Sequence, residues 1–341
     1  MLPFLKPLDE HVNYAIVGKL PNRPDFVRIN ATHPVVSEFD ELIQSAMTQL
    51  PDDPENEQRY QRTVTDFYYT SRDQSCVLMG ALMGSCDQSG RRFPLLAGIV
   101  LPSEQIAAEA ALTPIAYEIY FDELRRQISN AIDNAMEAVS CQAYLHTQSG
   151  TDSCGVVDFS LARDIVERFS SNQTVSRLSE VLALGKSVAP LDQALLNIAC
   201  YGDFLRRFEN PATVQEVVLP LPVAHGEGAL VAAEWLSLLM AAWAKPRWNG
   251  SFFVRRDAET AWLAASYGQI PERFLPWIVG GPLNDSVRLN LATEEDAWRA
   301  HHYYAETAYA LGRLLTDPSA SLLSLREALI DIGRKLARDP R

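Results

Sequence analysis

The chain has 341 residues, 47% of them hydrophobic and 21% charged, the makeup of an ordinary globular protein with room for a large core. Its 30 Lys+Arg against 43 Asp+Glu give a formal net charge of −13, which argues against a nucleic-acid groove. The 5 cysteines lack any C-x-x-C spacing and sit mostly in apolar surroundings, which predicts reduced, buried thiols.

The opening stretch, Met1 to Glu10, has neither the basic start nor the apolar core of a secretion signal. Tyr14–Val17 predicts a first strand, stopped by Gly18. Pro21 and Pro24 then exclude helix and stiffen a loop that bears Lys19, Arg23, Asp25 and Arg28. A helix follows, with Phe39, Leu42, Ile43, Ala46, Met47 and Leu50 on one face and Ser37 and Asp40 as a weak capping signal. Pro51 to Glu57 reads as an acidic surface loop, and Asp66–Ser71 as a strand. Two apolar runs, Ser75–Met83 and Leu95–Leu101, flank the turn 84–94 and predict a β-hairpin covered on both faces. Asp87 and Gly90 suit the first and fourth places of a type I turn. Arg91 and Arg92 are the puzzle there, since charges entering a buried strand need partners.

Beyond Pro102 the pattern is helical. Ile115–Val139 reads as one long amphipathic stretch, and the polar run Gln142–Gly155 as a flexible connection. Helices are predicted from Asp158 to Phe169, from Thr174 to Leu184 and over Leu191–Phe208. A strand at Val217–Leu221 precedes a helix at Gly226–Ala244, which contains Glu234 and reads as buried, not as a membrane span. Ser251–Arg255 and Ala261–Ala265 form a strand pair, and Pro271–Val279 a short helix before Gly280-Gly281-Pro282. Two helices, Glu294–Leu315 and Ser319–Leu336, close the chain. Strands interleaved with helices, plus a hairpin, predict an α/β fold: a mixed, partly antiparallel sheet with helices on its faces and extra C-terminal helices. The chain divides into 1–140, a helical insertion 141–210, and 211–341, packed together with the first part.

No phosphate loop, dinucleotide fingerprint, nucleophile elbow or zinc-protease motif occurs. His302 and Glu306 stand one helical turn apart, but two ligands without a third make no metal site. His33 and His225 are solitary, and neither Cys141 nor Cys154 has a sequence-local activating cation. No metal and no cofactor are therefore expected. For the charged loops two readings stay open. Asp87, Arg91 and Arg92 either pair to hold the turn, or the loops 18–28 and 84–94 meet at one end of the sheet. There they would form a stiff charged surface for a protein partner or an anionic group.

At these loops the chain resembles the type VI secretion-associated TagF family, also called ImpM. Gly18, Lys19, Leu20, Pro21, Arg23, Asp25, Phe26 and Val27 match its Gly-Lys-Leu-Pro-x-Arg-x-Asp-Phe-Val signature, with Pro24 where a small residue is usual. Asp87, Gly90, Arg91, Phe93, Pro94 and Leu95 match its Asp-x-x-Gly-Arg-x-Phe-Pro-Leu signature. The resemblance covers about residues 12–101. Further on, Arg247 to Ser251 keeps one tryptophan of the family's Trp-Trp segment. The resemblance implies a three-layer α/β/α sandwich and a cytoplasmic negative regulator of type VI secretion. Its partner would be an assembly component such as the forkhead-associated scaffold protein, with no nucleic acid and no membrane insertion. Lys19, Arg23, Asp25, Asp87, Arg91 and Arg92 are then the partner-binding or motif residues. Some relatives carry a metal-dependent phosphatase domain, but no such acidic cluster occurs here, so the chain is expected not to be an enzyme. The rival is a hydrolase or phosphatase-like site between the two loops.

Overall fold

The computed structural model describes residues 13–134, 138–149, 159–183, 216–222, 227–257, 260–282, 288–289 and 303–338, with isolated positions between 191 and 200. Its frame is a sheet of nine strands: β1 (Tyr14–Gly18), β2 (Val27–Ile29), β3 (Val64–Thr70), β4 (Cys76–Met83), β5 (Leu95–Pro102), β6 (Glu216–Leu221), β7 (Gly250–Arg256), β8 (Ala261–Tyr267) and β9 (Arg288–Leu289). Their spatial order is β2-β1-β5-β4-β3-β7-β8-β6-β9. Neighbours pair antiparallel except β6 with β9, which run parallel, so the sheet is mixed.

Strand alternation sorts the core into two faces. Val77, Met79 and Ala81 of β4 join one cluster, with Leu124 and Ile128 of the helix Glu118–Asp133 and Leu238 of the helix Gly228–Ala242. Leu78 and Leu82 point the other way, to Val35, Phe39 and Ile43 of α1 (Pro34–Gln49) and to Trp277 and Ile278 of the short helix Leu275–Ile278. Apolar surface on both sides forces helices onto both sides, and the result is a three-layer α/β/α sandwich. Tyr304–Thr316 and Leu322–Arg338 are the extra C-terminal helices, the second burying Leu322, Leu325 and Leu329.

The sheet runs without a break from the first part of the chain into the last, because β7 pairs along β3 from Val64↔Arg256 to Tyr68↔Phe252. Side chains reinforce that seam. The Thr70 hydroxyl donates to the Gly250 carbonyl at 2.6 Å, and the Ser251 hydroxyl accepts the Thr70 N–H at 3.1 Å. Buried Arg255 reaches across β7 to donate to the carbonyls of Trp277 (2.9 Å), Gly281 (2.8 Å) and Gly280 (3.4 Å).

Several elements differ from the sequence reading, each for a local reason. The acidic run after Pro51 is the entry to a helix, α2 (Pro54–Arg62). Asp53 caps it by accepting the N–H groups of Glu55 (3.0 Å) and Asn56 (2.9 Å), and Pro54 stands at its first position. His33, not Ser37, caps α1 by accepting from the Val35 N–H. Val27 and Arg28 belong to β2, a three-residue strand too short to leave a pattern. The expected connection 142–155 is helical as far as Ser149, within Ala138–Ser149. The stretch 115–139 is interrupted: a single turn Thr113–Ala116 precedes Glu118–Asp133, and Asn134 leaves the helix with extended backbone. Asp158, His225, His302, Cys154 and most of 191–208 lie outside the described residues.

Candidate functional site: a clasped pair of charged loops

β1 and β4 each run antiparallel to β5, so they run parallel to each other and release the chain at the same end of the sheet. That places loop 18–28 against loop 84–94. Gly18 opens the contact: its φ is +141°, and a Cβ there would fall 2.2 Å from the Pro94 carbonyl oxygen. Next to it the Ser85 hydroxyl donates to the Lys19 carbonyl at 2.7 Å. Tyr60 of α2 locks the same residue from below, donating to the Ser85 carbonyl (2.6 Å) and accepting its N–H (2.9 Å). Burial pushes the Tyr60 hydroxyl well above its ordinary pKa, so it stays a donor.

Asp87 is the hub, with 2% of its surface exposed. Its Oδ2 receives the Lys19 ammonium at 2.9 Å and Arg91 Nε at 2.7 Å. Its Oδ1 receives the backbone N–H groups of Ser89 (2.9 Å) and Arg91 (3.0 Å), while its own carbonyl accepts from the Gly90 N–H at 2.9 Å to close the turn. Burial pushes the carboxyl pKa upward. The bonds from Lys19, from the Arg91 backbone and side chain, and from Ser89 outweigh it and hold the group far below the usual carboxylate range. Lys19 is itself only 6% exposed, and its ammonium also lies 5.0 Å from the centre of the Phe26 ring.

The six motif residues therefore divide. Lys19 and Asp87 form a sealed ion pair. Arg91 bridges: one edge of its fork is on Asp87, and Nη2 donates to the Pro24 carbonyl of the other loop at 3.1 Å, with its side chain 65% exposed. Arg92 points elsewhere, to Asp52 ahead of α2 at 2.8 Å. Arg23 and Asp25 project from the surface, and neither side chain has an ion pair or side-chain hydrogen bond among the described residues. Only their backbone is held: the Arg23 N–H donates to the Leu20 carbonyl and the Arg23 carbonyl accepts from the Gln88 N–H, both at 3.0 Å. Phe26, 42% exposed, packs edge-on against Phe93 with ring centres 4.9 Å apart. Sequence reasoning missed the burial of Lys19 and the standing of Phe26; the Phe at that motif position was the one available signal.

Of the other sequence candidates, Glu306 and Cys141 are among the described residues, whereas His302, His225 and Cys154 are not. Glu306 pairs with Lys335 at 2.7 Å, and burial pushes the Cys141 thiol up to about 12. Among the described residues no group of three or more His, Cys, Asp or Glu could hold a metal. No helix among them is long and apolar enough to cross a membrane.

Residues 15–147 match the TagF N-terminal domain, described as type VI secretion system-associated. The chain carries a TagF-type domain. The clasped loops lie inside it, as do β1 (all but Tyr14) to β5, α1, α2 and the helix Glu118–Asp133. Beyond it the TagF-type part is continued by β7, β8, β6 and β9 of the same sheet. The crystal structure of PA0076 from Pseudomonas aeruginosa PAO1 is similar at 15% identity, over 80% of this chain and 96% of that one, with a TM-score of 0.36. No curated protein matches the chain.

Proposed function

We propose that this TagF-type protein is a cytoplasmic negative regulator of type VI secretion that works by binding, not by catalysis. Its partner is an assembly component such as the forkhead-associated scaffold protein. The observation behind this reading is the contrast at the loop tip. The side chains of Arg23, Asp25 and Phe26 are exposed, yet the backbone beneath them is fixed by Gln88, Leu20 and Arg91. A fixed tip loses little conformational entropy on binding, and an aromatic flanked by ionic groups is a common anchor at protein interfaces. Asp87, the carboxylate an enzyme would need between the loops, is sealed and engaged in four hydrogen bonds, which favours recognition over chemistry. Sequestering a scaffold represses assembly through mass action alone.

The test is capture of the purified scaffold by the wild-type chain and by an Arg23→Ala/Asp25→Ala variant. Lost capture with unchanged thermal unfolding supports the reading. Undiminished capture by the variant removes it.

A further inference from the structure

A second surface stands outside the TagF-type loops. A groove of about 520 Å³ runs between the helices Phe159–Asn172, Gly228–Ala242 and Leu322–Arg338, closed at one side by Ala108–Leu112. Its floor is apolar, with Val166, Met240 and Ile330, and the small side chains of Ala108, Ala111 and Ala241 leave the room.

Its rim reverses the sign of the molecule. Arg163, Lys245, Arg326 and Arg334 line it, against only Glu109 and Glu167, on a chain of net charge −13. The four cations are not equally committed. Arg163 is already paired with Glu109 at 2.6 Å. Lys245 lies over the Tyr267 ring at 4.9 Å and just past the C-terminal end of Gly228–Ala242, whose dipole offsets part of its charge. Among the described residues Arg334 has only the distant, exposed Asp331 at 3.7 Å. Arg326 has no salt bridge among the described residues; the carboxylate that feels its field is buried Glu234, which is bonded to the Ser170 hydroxyl. Arg326 and Arg334 are two helical turns apart on one face, above the apolar floor.

We propose that this groove docks an acidic segment of a partner protein. One or two apolar side chains of that segment seat on Met240 and Ile330, while its carboxylates meet Arg326 and Arg334. The volume suits one or two large side chains, and arginine forks suit carboxylates. The site is independent of the loop tip, so the two readings fail separately.

The experiment uses the full chain and a fluorescein-labelled peptide of Glu and Leu at helical spacing, read by anisotropy. Two controls share its length: the same pattern with Lys for Glu, and polyglutamate. The expected result is saturable binding of the Glu–Leu peptide alone, weakened at least tenfold by Arg326→Glu/Arg334→Glu and weakened by added salt. The exposed single variant Arg334→Glu, with unchanged circular dichroism, gives a smaller loss in the same direction and guards against misfolding of the double variant. Arg23→Ala leaves binding unchanged. Equal binding of polyglutamate, indifference to both charge reversals, or no binding overturns the proposal. So does binding by phosphatidylserine vesicles that the double variant abolishes while the peptide stays unbound, which assigns the groove to a lipid surface.

Discussion

The Lys19 ammonium and the Asp87 carboxylate, from loops far apart in the chain, meet at 2.9 Å with both side chains withdrawn from solvent. A buried pair is weak evidence of net stabilisation, but breaking it by removing one partner strands the other charge. Asp87→Asn therefore lowers the melting temperature by several degrees and makes loop 18–28 susceptible to proteolysis. Differential scanning fluorimetry with limited trypsin digestion checks both. An unchanged melting temperature would show that Lys19 finds another anion.

The clasp sets a pH dependence. The folded pKa of Asp87 lies below its unfolded value of about 3.9, so its contribution is fully present above that value. It is lost only as pH falls through the lower folded pKa. From pH 5 to 8 the clasp is thus indifferent to acidity, and its loss belongs to strong acid. Comparing acid unfolding of the wild type with Asp87→Asn should show the two curves converging as pH drops below about 3. Divergence there instead would contradict the assignment.

Arg23 and Arg91 separate binding from structure. Arg23→Ala removes a side chain with no partner among the described residues, and it should leave stability within about 0.5 kcal/mol while weakening partner capture. Arg91→Ala also removes the bonds to Asp87 and to Pro24. Because the group is largely exposed, that should cost about 1 kcal/mol. Urea unfolding of the two single variants, beside capture of the scaffold, distinguishes them.

Gly18 admits no side chain. Its positive φ and the 2.2 Å approach to the Pro94 carbonyl predict that Gly18→Ala destabilises by about 2 kcal/mol or more, measured as a shift in the urea midpoint. A neutral result would mean that the loops separate without loss.

Arg255 is a buried cation whose two terminal nitrogens donate to carbonyls, while its Nε meets no acceptor among the described residues. Burial, aided by Arg59 and opposed by Asp257, depresses its pKa to about 10, so it remains charged at neutral pH. Arg255→Met leaves the carbonyls of Trp277, Gly280 and Gly281 without their donor and should cost about 2–4 kcal/mol. Equilibrium unfolding measures the loss; a more stable variant would show that desolvation of the guanidinium dominates.

The hairpin was legible because two aliphatic runs and an Asp-to-Gly turn are local signals, and β4 and β5 pair as those runs demand. The meeting of the loops was legible only as one of two readings, since it depends on β1 and β4 sharing β5. Sequence posed Arg91 as a charge in need of a partner and offered Asp87, but nothing local announces that Lys19 is sealed beside it. Nor does anything local announce that Tyr60, in a helix hidden behind an acidic run with two prolines, fastens Ser85. The seam between β3 and β7 joins residues far apart in sequence, and no period or motif encodes it.

That seam has a practical corollary. A chain cut after residue 147 keeps the whole matched TagF segment but strips the partner from β3. Five ladder positions of an aromatic, nearly uncharged strand would then stand open to any similar strand, the usual start of self-assembly into insoluble material. Half of this molecule is not a smaller version of it.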